Sequence, residues 1–383
     1  MAFLRNPAVN RLNLHSLVEA LAVGAGGIFI IGVLIRSGVS VAGALEAMAA
    51  IFAGRFVVRL AVLPLALRLG LRRMVMAGVV AGAAQYLVVP EVNGAGPALW
   101  AMIGLGAIAS ALYWPCYHAY FAALGDAEHR GQQVAAREAA LAIVGVLAPI
   151  VGAASLTFAG LKTTFAVVAL IQAAAALPLV GAREAAIDRN APGAWRAAAK
   201  GTSLFLTDGW LFGTFYVAWQ ALLFVALEKS YAAFGGAAAL TALVGAVGGL
   251  VIGRHIDAGG GRRAVVIAAA VMAVLTLARA ASLGSPIAAA LANAPTVLAG
   301  VLWNIAMGAR VYNLAKTSPC PLRFHIFAEG GYDVAGAAGC LVSAGLVAAG
   351  LPPAWPVLAA LPGLALATLA LRRAYRVGPV AAG

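Results

Sequence analysis

Twelve times along this chain an apolar run reaches the length that a membrane-crossing helix requires, and that recurrence restricts the fold more than any other feature. A helix rises 1.5 Å per residue, so about 20 apolar residues cross a hydrocarbon core. Such runs fall near residues 12–35, 40–67, 74–90, 97–123, 133–159, 161–182, 203–227, 235–253, 264–282, 287–314, 328–350 and 354–371. Composition agrees: 63% of the 383 residues are hydrophobic and 10% are charged, with a mean hydropathy of +0.96. A water-soluble domain carries roughly a quarter charged residues. No soluble core hides this much apolar surface, so the bilayer is the solvent. Backbone polar groups in lipid must be satisfied within the segment. The expectation is therefore an all-α polytopic membrane protein, with twelve transmembrane helices in two pseudo-symmetric six-helix bundles.

The polar stretch "AREAAIDRNAPGAWRAAAKGTS" divides the runs six and six. It gives an N-terminal bundle at 1–182, a linker at 183–202 and a C-terminal bundle at 203–383. With both ends on one side, that side collects most of the basic residues, from Arg5 and Arg11 through Arg130 and Arg196 to Arg376. The other side keeps only Arg36, Lys162 and Lys229. The positive-inside rule then places both termini in the cytoplasm, and the asymmetry explains the net charge of +13 without nucleic acid. Some of these arginines are expected to meet anionic lipid headgroups. Cys116, Cys320 and Cys340 have no metal or redox spacing, and no disulfide framework is implied. The first apolar run lacks a small-residue cleavage site and reads as a retained helix. The chain carries no phosphate-binding G-x-x-x-x-G-K-[ST] loop.

The halves match at a constant offset near 190 residues. Glu19 of "NLHSLVEALAVG" falls against Asp208 of "SLFLTDGWLFGT". Arg72 and Arg73 fall against Arg262 and Arg263, and Glu138 falls against Glu329. Parallel six-helix repeats of this kind place a substrate site at their interface. "GRHIDAGGGRR", Gly253 to Arg263, follows the eighth run. With this loop and the repeat, the chain resembles the major facilitator superfamily over nearly its whole length. The loop looks like the family's G-x-x-x-D-…-G-R-R motif, at Gly253, Asp257, Arg262 and Arg263, with one extra residue before the arginine pair. The resemblance implies a cytoplasmic latch between the halves at Asp257, Arg262 and Arg263. The first-half copy keeps Gly70, Arg72 and Arg73 but has Leu67 in place of the aspartate. "GDAEHRGQQVAARE" resembles the family's loop between helices four and five, and "GVLAPIVGA" is a degenerate form of its G-P-x-x-G signature.

Ionisable groups inside spans cost about 2.5–3.5 kcal/mol each on insertion scales, so they seek a partner or a wet cavity. Glu19 lies about 10 Å inside the first run. Arg55 and Arg59 are four apart on the second, and Arg59 matches Glu19 in depth, so Glu19 and Arg59 are expected to pair, as a static bridge or a coupling pair. Asp208 inherits no partner, because Gly249 stands where Arg59 repeats; Arg310 is nearest by depth. In "YWPCYHAYF", Trp114 and His118 share a face, and Tyr117 suits an interfacial belt or a cavity wall. Tyr113 matches Trp303 across the repeat, which suggests paired aromatic walls, and Asn304 adds a polar contact.

"RFHIFAEGGYDVAG", Arg323 to Gly336, sets His325, Glu329 and Asp333 on one stripe if the helix starts by about residue 325. Glu138, beside Arg137, is the repeat counterpart of Glu329. Three uses of the stripe stand open. It could close a cytoplasmic gate with Arg323, Lys316 or first-half arginines. It could carry protons or contact substrate. As an alternative, His325, Glu329 and Asp333 could hold a divalent metal, with His118 approaching from across a cavity.

The expectation is a secondary transporter, with no enzymatic activity and no cofactor, moving a small polar or ionic solute by alternating access. Protons are the expected coupling ion, with Glu19, Arg55, Arg59, His118, Glu138, Asp208, Arg310 and Glu329 as coupling or substrate residues. A monomer in a bacterial inner membrane is expected. A divalent-metal carrier is the alternative within transport, and a lipid-handling or non-transporting receptor protein is the alternative outside it.

Overall fold

A computed structural model describes residues 6–124, 130–256 and 261–376. The described residues are helical, with no strand among them, and twelve helices are long and apolar enough to cross a membrane. They are α1 Pro7–Arg36, α2 Val41–Leu69, α3 Leu71–Glu91, α4 Pro97–Leu124, α5 Arg137–Phe158 and α6 Leu161–Leu179. After the polar stretch come α7 Ala194–Ala226, α8 Tyr231–Gly248, α9 Val265–Ser282, α10 Pro286–Trp303, α11 Pro321–Ala348 and α12 Ala354–Tyr375. Every run read from the sequence is one of these helices.

Local chemistry sets the ends. Asn6 caps α1, its Oδ1 accepting from the amides of Ala8 and Val9 at 3.1 and 3.2 Å, with Pro7 as first residue. Ser40 caps α2 through the Gly43 amide at 2.9 Å. Between α2 and α3 the chain reverses on Gly70, whose φ of +89° suits a residue without a Cβ. Two boundaries differ from expectation. Helix α7 starts at Ala194, inside the stretch read as linker, and α11 starts at Pro321, not near 328. Both early turns carry polar and basic residues, Arg196 and Lys200 in one and Arg323 and His325 in the other, so an apolar-run reading stops short of them.

Contacts between chain ends fix which helix termini share a face. Asn6 Nδ2 donates to Leu124 O at 3.4 Å, Arg72 N to Glu184 Oε1 at 2.9 Å, and Arg323 Nη2 to Arg189 O at 2.7 Å. The start of α1, the end of α4, the start of α3, the connecting stretch and the start of α11 therefore lie together, on what is here called the terminal face. On the far face, Lys162 and Glu91 meet at 2.9 Å.

Three apolar cores follow. One lies mainly in the first six helices, around Leu12, Met74 and Tyr120, with Leu322 and Ile326 of α11 packed into it, and one in the last six, around Phe215, Met272 and Phe324. The third joins the two sets towards the far face, where Phe29 of α1 meets Phe234 of α8 at 5.8 Å between ring centres. Helices α7 and α11 approach through glycines: Gly209 lies against the Tyr332 carbonyl, and a Cβ on Gly213 would lie 2.7 Å from the Gly336 carbonyl. Helix α11 also packs along α2, and α5 along α8.

Three helices are irregular near one level of the molecule. Helix α1 passes through a 3₁₀ turn at Gly27–Phe29, α7 through a π-helical segment at Phe212–Ala218, and α10 breaks between Asn293 and Thr296. Irregular backbone at membrane depth is tolerated where protein or a cavity covers it.

Candidate functional site

The densest group of charges lies where α11 meets α2 and α4. Arg55 and Arg59 are one turn apart on α2, and Glu329 and Asp333 are one turn apart on α11, so each pair faces the other along the contact. Arg59 donates to Asp333 Oδ2 twice, from Nε at 2.8 Å and Nη2 at 2.6 Å. Its Nη1 donates to Glu329 Oε2 at 3.1 Å. Arg55 makes an ionic contact with Asp333 Oδ1 at 3.0 Å and leans its guanidinium over Phe52. The other Glu329 oxygen meets two imidazoles. His325 Nδ1 lies 3.1 Å from Oε1, and His118 Nδ1 of α4 lies 3.6 Å from the same atom. A carboxylate can only accept, so His325 carries its proton on Nδ1. The two rings meet edge to face, 5.0 Å apart.

Burial makes this arrangement consequential. Asp333 is fully enclosed, and Arg59, Glu329 and His325 are each at most 5% exposed. A charge so placed is costly unless it is paired and hydrogen-bonded. Two guanidiniums face two carboxylates, so the group balances without either imidazole. The stripe on α11 thus forms as its spacing predicts, and first-half arginines meet it.

The expected Glu19–Arg59 pair does not form, because Arg59 is committed to α11. Glu19 is partly buried on α1, within electrostatic reach of Tyr86 and Tyr113, and has no hydrogen-bond partner among the described residues. The metal reading of His325, Glu329 and Asp333 also changes. Asp333 is taken by the arginines, and the trio whose ligating atoms lie within 4.8 Å of one another is His118, His325 and Glu329. Glu138 does not share the setting of its repeat counterpart: it is exposed and pairs with Arg137 at 2.7 Å.

The aromatic walls also separate. Tyr113 and Tyr117 are stacked at 5.3 Å and turned into the first-half core. There the Tyr113 hydroxyl meets His15 Nε2 at 3.0 Å, and the Tyr117 hydroxyl meets Ser16 Oγ at 2.7 Å. Trp114 is 40% exposed. Trp303 instead lines a cavity of about 550 Å³, and its Nε1 donates to Asp208 Oδ1 at 3.3 Å. That bond replaces the expected Asp208–Arg310 proximity; Arg310 lies near Tyr375 of α12. The side chain of Asn304 lies outside the described residues.

This cavity is built mainly by α7 to α11 and touched by Ile28 of α1, so it gathers around all three helix irregularities. None of Glu19, His118 and Glu329 lines it. Its second charged residue is Arg279 of α9, which sequence reasoning does not single out. Arg279 is 2% exposed. It donates to Phe215 O at 2.7 Å, Thr296 Oγ1 at 2.8 Å and Asn293 Oδ1 at 3.3 Å. Its guanidinium stacks over Phe215 and Trp219 at 4.3 and 4.7 Å. The only signal in the sequence is one arginine in the run "VLTLARAAS".

At the terminal face, Arg72 is engaged by Glu184 of the connecting stretch and by the Leu179 carbonyl at 3.3 Å. Arg323 holds that same stretch through Arg189 O. Arg73 and Arg263 are exposed, and Asp257 and the Arg262 side chain lie outside the described residues.

Known structures share this architecture. A POT family transporter in complex with 5-aminolevulinic acid superposes with a TM-score of 0.72 at 11% identity, covering 96% of each chain. The human organic anion transporter MFSD10 (TETRAN) matches with a TM-score of 0.69 at 17% identity, over 95% of this chain and 98% of that one. A bacterial homologue of the iron transporter ferroportin, in an inward-facing state, gives 0.67 at 13% identity, over 96% and 98%. At these identities the likeness is one of fold. No curated protein sequence matches the chain. The family model of the Major Facilitator Superfamily, however, matches residues 16–320, most of the chain, and the twelve-helix fold agrees with it, so this protein belongs to the Major Facilitator Superfamily.

Proposed function

We propose that this protein is a proton-coupled secondary transporter that moves a small ionic or zwitterionic solute by alternating access between two six-helix halves, α1 to α6 and α7 to α12. The observation that carries the reading is the buried ion cluster joining α2 of one half to α11 of the other. Ion pairs across such a seam hold one face closed, and protonating a carboxylate cancels part of what holds them. Glu329 is the proton acceptor in this scheme. It shares Arg59 with Asp333 and has two imidazoles against its other oxygen, so a proton has a route to it that leaves Asp333 paired. Asp208, in the cavity with no basic partner among the described residues, is the second carboxylate of the transport path. Glu19 is its counterpart in the first half. Structural neighbours that carry organic anions or bind 5-aminolevulinic acid fit this solute class. By the positive-inside rule the basic terminal face supports an orientation with both ends in the cytoplasm, and a bacterial inner membrane is our reading of the location.

Purified protein in liposomes with an imposed pH gradient tests the reading. Solute uptake from a panel of amino acids and organic acids should accelerate with the gradient, and Glu329→Gln should abolish that acceleration while exchange without a gradient persists. Gradient-driven uptake that survives Glu329→Gln rejects Glu329 as the proton acceptor.

The trio His118, His325 and Glu329 favours a second reading, divalent-metal carriage. Arg59 on the same carboxylate works against it, because a fixed cation sits beside the site. Stabilisation of purified protein by Mn²⁺ or Zn²⁺, lost in His118→Ala, would favour the metal; no stabilisation would leave the proton reading.

A further inference from the structure

We infer that the 550 Å³ cavity is a receptor for a zwitterion, with Arg279 taking the carboxylate and Asp208 the ammonium group. The inference deepens the transport reading above and rests on it for the direction of movement, but not for binding.

The cavity contains one charged residue of each sign, and neither is neutralised by a residue of opposite charge among the described residues. Arg279 has five N–H donors. Nη1 spends one on the Phe215 carbonyl, and Nη2 serves Asn293 and Thr296. Nε finds no acceptor among the described residues, and Nη1 keeps a second hydrogen. Every acceptor it has is neutral, so its charge is spread over carbonyl, amide, hydroxyl and ring faces without being cancelled. A cation so nearly buried attracts an anion more strongly than one in water.

The surrounding backbone supports that polarity. The Trp219 amide, leaving the π segment, donates to Tyr216 O, and the Phe215 carbonyl four residues before it serves Arg279. Helix α10 restarts at Thr296, so the positive end of that segment begins at a residue that holds the guanidinium. Asn293, at the break, is fixed from both sides: its Oδ1 accepts from Trp219 Nε1 at 2.7 Å, and its Nδ2 donates to Thr241 at 2.8 Å. Arg279 is thereby held in one place.

At the other end the Asp208 side chain accepts one hydrogen bond among the described residues, from Trp303, and is partly exposed to the cavity. Arg279 reaches α7 at Phe215, about two turns beyond Asp208, so the points where the two charges meet α7 are offset along the helix by roughly 10 Å or less. A solute bridging them carries its charges several bonds apart, as an ω-amino acid does. An α-amino acid, with both charges on one carbon, satisfies only one end.

Binding to purified protein by calorimetry, with ω-amino acids of four to eight carbons against the matching alkanoates and alkylammonium ions, decides the matter. The longer zwitterions should bind roughly tenfold or more tightly than either singly charged series. Arg279→Gln should reduce 6-aminohexanoate to the affinity of hexylammonium, and Asp208→Asn should reduce it to that of hexanoate. Arg279→Lys, which keeps the charge if the glutamine variant does not fold, should retain part of the advantage. Equal affinity for zwitterion and monopole, or a preference that survives Arg279→Gln and Asp208→Asn, overturns the inference. Gradient-driven uptake through Glu329 is a separate measurement, so loss of one result does not entail loss of the other.

Discussion

Arg59 is the residue on which the seam between α2 and α11 depends, since among the described residues it alone bonds both carboxylates of α11. Removing one member of a buried ion pair costs about 3–5 kcal/mol, because the remaining charge keeps its desolvation penalty without its partner. Arg59→Gln should therefore lower the unfolding free energy in detergent by that order, and adding Asp333→Asn should recover a large part of the loss. A double-mutant cycle on denaturation curves measures the recovery; strictly additive effects would mean that the pair does not hold the seam. The stripe His325, Glu329, Asp333 was legible in the sequence because helical spacing alone defines it. Which of the basic residues would meet it was not. Glu19 and Arg59 match in depth, but depth does not say which neighbouring helix a side chain faces, and the packing of α11 along α2 decides it. Arg279 escaped notice for a related reason: it lies three residues before the end of α9 at Ser282, where an arginine ordinarily reaches for headgroups. Only the fold turns it inward.

At the scale of helices, all twelve spans could be read from run length, because lipid demands that each crossing segment satisfy its own backbone. The irregularities within them could not. A π-helical segment in "FGTFYVA" leaves no periodicity signal, and the break at Asn293–Thr296 looks like one more proline in an apolar stretch. Glycine spacing is more informative. Gly209 on α7 sits where any Cβ would strike the Tyr332 carbonyl of α11, so Gly209→Ala must push the helices apart. Overpacking of this kind costs about 1–3 kcal/mol. Gly236 on α8 has open space around its Cβ position, and alanine there should stabilise by roughly 0.5–1 kcal/mol through helix propensity. Melting temperatures of the two variants should move in opposite directions. A fall in both would show that the loss at Gly209 reflects something other than helix contact.

Across the whole molecule, the halves meet at α2 with α11 and at α5 with α8, and alternating access requires both seams to change. The second seam offers the cleaner test, because no charge runs through the contact at Gly145 and Ala242. A Cβ on Gly145 would lie 3.5 Å from the Ala242 Cβ, within the range a disulfide accepts. Cys116, Cys320 and Cys340 are buried, so they should not compete for an oxidant. Gly145→Cys with Ala242→Cys should form the bond on mild oxidation and reduce transport in liposomes by at least about tenfold, with reductant restoring it. Each single variant should respond to neither reagent. Binding of solute to the cavity among α7 to α11 should survive the cross-link, because most of its walls belong to one half. Transport that continues with α5 and α8 covalently joined would mean that these helices do not separate during the cycle, and that solute moves by rearrangement within the last six helices, around the broken segments of α7 and α10.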